Sequence, residues 1–319
     1  MRAIVISENG GPEVLKPAEI DDPVPGPGEV LIDIAASGVN FVDVYYRTGL
    51  YPQSTPYVPG VEGAGTVAAT GEGVTEFAVG DRVAWAQVQG GYAERAVIPA
   101  ARVVPVPDGV SAENAAGVLL QGMTAHYLVH TTYAVQPGDT VLVHAAAGGM
   151  GLLLIQAAKL RGARVIGTVS TEEKERLARD TGADEVLRYD GFAAEVRRLT
   201  DGEGVAAVYD GVGAATFDGS LESLRPRGML ALYGYASGPV PPFDINRLNT
   251  GGSLFLTRPT LAHYIAAPEE LQSRASDVFG WVADGKLSLH GRQYALHDAR
   301  VAHEDLEARR TTGKLLLIP

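Results

Sequence analysis

The sequence predicts an α/β protein of two domains, a β-rich antiparallel unit and a doubly wound parallel-sheet unit. Three observations predict it. The first 110 residues are short apolar runs separated by Gly and Pro, a pattern of brief strands and tight turns. From Thr140 the rhythm becomes strand, helix, strand, helix, which builds a parallel sheet covered by helices. Between the first of those strands and its helix lies the glycine-rich string HAAAGGMGL, residues 144 to 152. A length of 319 residues is also about twice that of a typical domain.

The opening strands are RAIVIS, EVLIDIAASGVN, GAGTVAAT, GDRVAWAQ, YAERAVIP and RVVPVP, which suit a compact barrel or sandwich. A helical pattern follows Ser111, an N-cap candidate with Glu113 in the first turn, and stops before the turn Gln136-Pro137-Gly138-Asp139. The alternating region then reads TVLVHAA (strand), GMGLLLIQAAKLRG (helix closed by Gly162), ARVIGTVS (strand), TEEKERLARDTG (helix) and ADEVLRY (strand). It continues with FAAEVRRLT (helix), VAAVYDGV (strand), TFDGSLESL (helix) and MLALYGY (strand). After SLFLTRP come the amphipathic segment APEELQSRASDVFGWVADGKL, a helix around Ala299 to Arg309 and a last strand KLLLIP, which return the chain to the first domain.

Composition narrows the chemistry. The chain has no cysteine, so disulfides, thiolate nucleophiles, iron–sulfur clusters and cysteine-bearing zinc sites are excluded. With 46% hydrophobic and 20% charged residues it is an ordinary globular protein. A net charge of −12 opposes general attraction to nucleic acid or to anionic membrane surfaces. The amino terminus MRAIVISENGG has no small-residue cleavage site and no later run is long and apolar enough to span a bilayer, so a cytoplasmic protein is expected.

Aligned to the dinucleotide fingerprint, residues 146 to 151 read Ala146-x-Gly148-x-x-Gly151, with Gly149 and Met150 between. Glycines there let backbone amides approach a pyrophosphate at the positive end of the helix dipole. The choice of dinucleotide is made at the end of the second strand, where NAD enzymes usually place an acid on the ribose 2′-hydroxyl. Here the strand ends in Ser170, with Lys174 one helical turn on and Tyr189 closing the next strand. A hydroxyl, an ammonium and a phenol suit a 2′-phosphate and favour NADPH. Each has a structural alternative: Ser170-Thr171-Glu172-Glu173 has the form of a capping box headed by Ser170, Lys174 fits an exposed helix face, and Tyr189 an ordinary strand end. His126 and His130, at i and i+4, lack an acid between them or an evident third ligand and read as core or surface histidines.

The strings GGPEVL, GVNFVDVYYRTGLYP, PGVEGAGTV, GDRVA, VHAAAGGMGLL, GTVSTEEK, YDGVG, LFLTRPTL and GKLLLIP, spread over the whole chain, resemble the quinone oxidoreductase branch of the medium-chain dehydrogenase/reductase superfamily, the group that includes zeta-crystallin. The resemblance implies a GroES-like β-barrel catalytic domain, residues 1–122 and 260–319, interrupted by a Rossmann NADPH-binding domain, residues 123–259. It also implies hydride transfer from NADPH to a quinone or another conjugated carbonyl, and a homodimer paired through Rossmann sheet edges. Zinc alcohol dehydrogenases of the superfamily carry Gly-His-Glu where this chain has Gly60-Val61-Glu62. Valine has no lone pair for zinc, so a metal-free mechanism and a structural, hydrogen-bonded Glu62 are expected.

By the same resemblance, Asn40, Phe41, Asp43 and Tyr45 border the nicotinamide, with Thr124 approaching from the helix at the domain junction. Tyr45, Tyr46, Tyr51 and Tyr57 can line a flat slot or simply pack a surface loop; Asn40 and Tyr51 are the catalytic candidates. Val212, in Gly211-Val212-Gly213, and Tyr233-Gly234 follow strands at their carboxyl ends, where open α/β sheets bind ligands. The family pattern adds Phe255, Thr257 and Arg258 near nicotinamide and Arg309 near adenosine, although the Phe255 strand equally suits a dimer edge. The rivals to a quinone reductase are an NADPH-dependent enone or alkenal double-bond reductase, and a non-catalytic NADPH-binding protein of crystallin or RNA-binding type.

Overall fold

The computed structural model describes all 319 residues, which divide into two compact units, Met1–Met123 with Tyr264–Pro319, and Thr124–His263. The amino-terminal part of the first unit holds β1 (Arg2–Val5), β2 (Lys16–Glu19), β3 (Glu29–Val39), α1 (Phe41–Arg47), β4 (Glu62–Thr70), β5 (Arg82–Ala86), β6 (Arg95–Pro99), β7 (Val103–Pro105) and most of α2 (Ala112–Tyr127), whose last turn, from Thr124, belongs to the second. The second unit continues with β8 (Thr140–Val143), α3 (Gly149–Leu160), β9 (Arg164–Thr168), α4 (Glu172–Asp180), β10 (Glu185–Leu187) and α5 (Phe192–Leu199). Then come β11 (Val205–Asp210), α6 (Phe217–Glu222), β12 (Leu224–Leu232), α7 (Asn246–Thr250), β13 (Phe255–Thr257) and α8 (Leu261–Tyr264). The chain ends in α9 (Pro268–Ala283), β14 (Gly291–Ala295), α10 (Ala299–Glu307) and β15 (Lys314–Ile318).

In the first unit one seven-stranded sheet runs β14-β15-β3-β4-β5-β7, with β6 also pairing β3, and every pairing but β14 with β15 is antiparallel. Val30, Ile32, Val67, Val83, Trp85 and Ile98 form one core of this unit. Ile4, Ile6, Val39, Tyr92, Leu315 and Leu317 form a second, to which α10 adds Ala299 and Ala302. The last strand is therefore built into the first domain's sheet, as the apolar run KLLLIP predicts.

The second unit is a six-stranded parallel sheet in the order β10-β9-β8-β11-β12-β13. Counted within the unit this is 3-2-1-4-5-6, the doubly wound order whose switch point lies beside its first strand. Leu142, Ile166, Val208 and Leu230 on the strands pack against Phe192, Val196, Phe217 and Leu221 on the helices. No helix of the chain is long and apolar enough to cross a membrane.

Ser111 caps α2 as expected, its Oγ accepting from Asn114 N at 3.2 Å, and Gly162 follows α3 with φ +78. The sequence reading missed β2, β14, α1, α7 and α8. Helix α1 is built from Phe41, Val42, Val44 and two tyrosines, poor helix formers, and is set instead by a capping box between Asn40 and Asp43. The structural alternative for Ser170 is not realised: α4 is headed by Thr171, whose Oγ1 accepts from Lys174 N at 3.2 Å, so Ser170 stands before the cap rather than being it.

Candidate active site

In the first unit the candidate residues gather at the start of α1. Asn40, only 4% exposed, follows β3 in extended conformation and heads the helix. Its amide nitrogen Nδ2 donates to Glu62 Oε1 at 2.7 Å, and its Oδ1 accepts from Lys314 Nζ at 2.8 Å and Gln121 Nε2 at 3.0 Å. Glu62 and Lys314 form an ion pair with no solvent exposure, and Glu62 Oε2 also accepts from Leu120 N at 3.0 Å. Glu62 is thus the structural, fully bonded acid expected from its sequence context. A cation and an anion together fix which way the Asn40 amide points, and one Nδ2 hydrogen is left to donate.

Gln121 was not singled out from sequence. Its Nε2 is given to Asn40 while its Oε1 is buried without a donor. A helix face reading simply as LLQGM holds no local signal for it.

Asp43 lies four residues before Arg47 on α1, and the two do not pair directly. Asp43 Oδ2 accepts from Asn40 N at 2.8 Å and Tyr92 Oη at 3.0 Å, and Oδ1 from Val61 N at 3.3 Å. Both carboxylate oxygens are therefore spent on the protein. Burial pushes its pKa up to about 7 against these hydrogen bonds and Lys314, which pull it down. Phe41 opens α1, and Tyr45 is buried. The rings of Tyr45 and Tyr46 meet Tyr51 edge-on at 5.3 and 5.7 Å. Tyr57 is separate from that ring cluster, its backbone bridging to Ile6 and its buried hydroxyl without a partner. Arg309, in the same unit, has φ +56, whereas its neighbour Arg310 is tied to Asp305 at 2.7 and 3.0 Å.

In the second unit most of the predicted residues fall along the carboxyl ends of the strands. Ala146 is buried, and Gly148 heads the twelve-residue α3 with no side-chain cap. The first-turn amides, at Gly149, Met150 and Gly151, therefore have no intrahelical acceptor. A Cβ on Gly151 would lie 2.3 Å from the Ala145 carbonyl oxygen, so glycine is required for the helix to pack this close to the strand. This glycine-headed helix terminus fits a pyrophosphate.

Ser170 is exposed two residues after β9, immediately before the Thr171 cap of α4, and Lys174 lies in the first turn of that helix. Tyr189 Oη accepts from Ala145 N at 3.1 Å and its ring stacks at 6.2 Å on His144, tying the β10 end to the phosphate loop. Arg188, which sequence reasoning passed over, donates to Thr171 O at 2.7 Å and pairs with Glu175 at 3.0 Å, adding a guanidinium beside Ser170.

Gly211 and Gly234 pack backbone to backbone: a Cβ on Gly234 would lie 2.7 Å from Gly211 O. Val212 N and Gly213 N donate to Asp210 Oδ1 at 2.8 and 3.0 Å, which shapes the loop after β11. Tyr233 O accepts from Arg258, whose guanidinium lies 4.3 Å over the Tyr235 ring. Thr257 pairs with Ala231 near the same sheet end, but Phe255 lies two residues back, opposite Met229 on the outermost strand, and is 56% exposed. Thr124 is buried on α2. His126 and His130 stack at 4.3 Å, and His130 Nδ1 is bonded to the His126 carbonyl at 3.0 Å.

A GroES-like unit and a doubly wound unit with a glycine-headed phosphate loop define a medium-chain dehydrogenase/reductase. Residues 26–108 match the family described as alcohol dehydrogenase GroES-like domain, and residues 149–274 the family described as zinc-binding dehydrogenase. The chain is 46% identical to a quinone oxidoreductase of Pseudomonas aeruginosa over 100% of its own length and 99% of that relative. It is 42% identical to a 2-haloacrylate reductase of a Burkholderia species, over 99% of this chain and 98% of that one. Among solved structures, the Escherichia coli quinone oxidoreductase complexed with NADPH superposes with TM-score 0.98 at 40% identity, both chains covered completely. A mycobacterial protein complexed with NADPH gives 0.97 at 52% identity, again over both whole chains. The chain belongs to the quinone oxidoreductase family of the medium-chain dehydrogenase/reductases.

Proposed function

We propose that this protein is a zinc-independent oxidoreductase that reduces quinones with NADPH. The observation that carries the reading is the Asn40–Glu62–Lys314 cluster: where zinc relatives have a histidine before this glutamate stands Val61, and Glu62 itself is consumed by a buried lysine. Without a Lewis acid in that donor set, the acceptor must already be electrophilic, which describes a quinone. NADPH, when bound, supplies the hydride from its nicotinamide ring.

The chain's own work is positioning. Gly149, Met150 and Gly151 present backbone amides to the pyrophosphate, Gly148 heads the helix with its own amide bonded to Ala145 O at 2.8 Å, and Gly151 lets helix and loop close together. Ser170, Lys174 and Tyr189, joined by Arg188, suit a 2′-phosphate, and the released Ser170 hydroxyl strengthens that reading. Val212, Tyr233, Gly234 and Thr257 line the sheet end; Thr124, Phe41 and Tyr45 belong to the nicotinamide side, and Arg309 to the adenosine end, by family pattern. Asn40 offers one amide hydrogen and Gln121 one unsatisfied oxygen, side by side, the complement of a carboxamide or of a reduced acceptor. Tyr51, packed edge-on against Tyr45, is the second catalytic candidate by family pattern. Asp43 acts through Asn40, since its own oxygens are taken.

The proposal includes a homodimer: β13 is the unpaired edge of its sheet and exposes Phe255, a surface that sheet pairing would cover. Two domains, residues 1–122 with 260–319 and residues 123–259, and a cytoplasmic location complete it. NADPH oxidation measured against 1,4-benzoquinone, 9,10-phenanthrenequinone and an α,β-unsaturated ketone, with chelator present, tests the function. Turnover with the quinones and little with the ketone is expected; the reverse preference assigns a double-bond reductase, to which the 2-haloacrylate relative points.

A further inference from the structure

The buried partners of α1 form a hydrogen-bond chain with only one possible direction. Arg47 Nη1 lies 3.1 Å from His303 Nδ1, and a guanidinium can only donate, so Nδ1 is the acceptor and the ring proton sits on Nε2. His303 Nε2 lies 3.0 Å from Tyr92 Oη, which must then accept and turn its own hydrogen to Asp43 Oδ2 at 3.0 Å. Asp43 Oδ2 in turn accepts the backbone N–H of Asn40 at 2.8 Å. At the other end Arg47 forks onto both oxygens of Glu307, at 2.8 and 2.9 Å. Arg47, Tyr92, His303 and Asp43 are all buried, and Glu307 is 30% exposed.

Two consequences follow from the direction. The chain cannot pass protons, because Arg47 does not release one at accessible pH. Nor can it reverse: a proton on Asp43 Oδ2 would face the Tyr92 hydrogen, one on Oδ1 would face the Val61 amide 3.3 Å away, and Tyr92 could turn away only if His303 moved its proton to Nδ1, against Arg47. The arrangement therefore favours an ionised Asp43.

We infer that Arg47, His303 and Tyr92 are positioning residues which hold Asp43 charged and oriented so that it fixes Asn40 for the reaction. The inference rests on the reading of Asn40 as a nicotinamide-side residue. Burial of Asp43 works against the chain, and the groups facing it are Tyr92, Glu62 and Lys314, with Tyr46 and Tyr57 nearby and Arg47 behind His303. The helix start is thereby sensitive to pH near neutrality.

The test is selective ¹⁵N-asparagine labelling of the full chain, following the Asn40 backbone amide against pH, with kcat for NADPH and 1,4-benzoquinone recorded on the same samples. In the wild type the amide should titrate with a midpoint of about 7, and kcat should fall on the acid side of it. Tyr92→Phe removes a hydrogen bond to a charged group and should raise the midpoint by about one to two pH units, lowering kcat at neutral pH about fivefold to fiftyfold. His303→Gln, which keeps one donor and one acceptor, should stay near the wild type, whereas His303→Leu should follow Tyr92→Phe. This second pair decides the matter if Tyr92→Phe does not fold. An Asn40 amide that does not titrate, or a midpoint unmoved by Tyr92→Phe and His303→Leu, overturns the inference. So does a moved midpoint whose kcat limb does not move with it. A wild type without quinone turnover would instead defeat the functional reading, while the amide titration would still judge the chain.

Discussion

Each unit hides a neutral histidine in a directed hydrogen-bond chain that ends on an aspartate collecting backbone amides, yet the two chains differ at their far ends. In the second unit Thr168 Oγ1 lies 2.8 Å from His144 Nδ1, and His144 Nε2 lies 2.9 Å from Ser220 Oγ, which donates to Asp210 at 2.8 Å. Asp210 is also bonded by Thr216 at 2.7 Å and by the amides of Val212 and Gly213. That chain begins on a hydroxyl. The first unit's chain begins on the Arg47–Glu307 ion pair and ends beside a second, fully buried pair, Lys314–Glu62. The phosphate-loop side is held by neutral groups, the Asn40 side by charges. The proposed roles, a constant cradle and an oriented amide, call for different devices, and the charged one responds to pH near neutrality.

The largest effect should come from splitting the buried ion pair. Lys314→Met removes the counter-ion of the buried Glu62 and should cost about 3–5 kcal/mol in urea unfolding. Adding Glu62→Gln should recover most of that loss, and no recovery would mean the pair does not bear the load assigned to it. On the neutral side, Gly151→Ala forces a methyl into the Ala145 carbonyl and should cost about 1–3 kcal/mol, with NADPH affinity falling in a fluorescence titration. Unchanged binding would remove the phosphate-loop assignment.

Lys174→Ala should raise KM for NADPH and leave NADH use almost unchanged; equal effects on both cofactors would contradict the 2′-phosphate site. A further prediction concerns the pH dependence of stability. Burial and Arg47 lower the His303 pKa to about 3, below its unfolded value, so its contribution to stability is full above about pH 6.5 and is lost as pH falls toward about 3. The raised Asp43 has the opposite sign, its contribution diminishing as pH climbs from about 4 to about 7. In the wild type the two offset one another. His303→Gln keeps only the Asp43 slope, so its destabilisation relative to wild type should grow between about pH 4 and pH 6.5 in denaturant midpoints.

The two regions also differ in how far they could be read from sequence. Close approach of backbone to phosphate requires glycines at fixed local spacing, so Gly148, Gly149 and Gly151 declared themselves. Asn40 meets Lys314 across 274 positions and Arg47 meets His303 across 256, spacings that leave no local pattern. Asn40 and Asp43 were reached only by family resemblance, and Gln121, Tyr92, His303 and Arg188 not at all. Helix α1 escaped because its aromatic and β-branched residues argue against a helix that the Asn40–Asp43 capping box then sets. Adjacent hydroxyls at Ser170 and Thr171 left the cap's register ambiguous, and only the Thr171 to Lys174 hydrogen bond decides it.

Metal-free hydride transfer to an activated acceptor is most directly tested with NADPH deuterated at nicotinamide C4, using chelator-treated enzyme and 1,4-benzoquinone. Slower turnover with deuterium on one face of the ring than on the other, at a rate the chelator does not alter, is the result expected. Turnover indifferent to deuterium on both faces, or lost on chelation and restored by zinc, would contradict it.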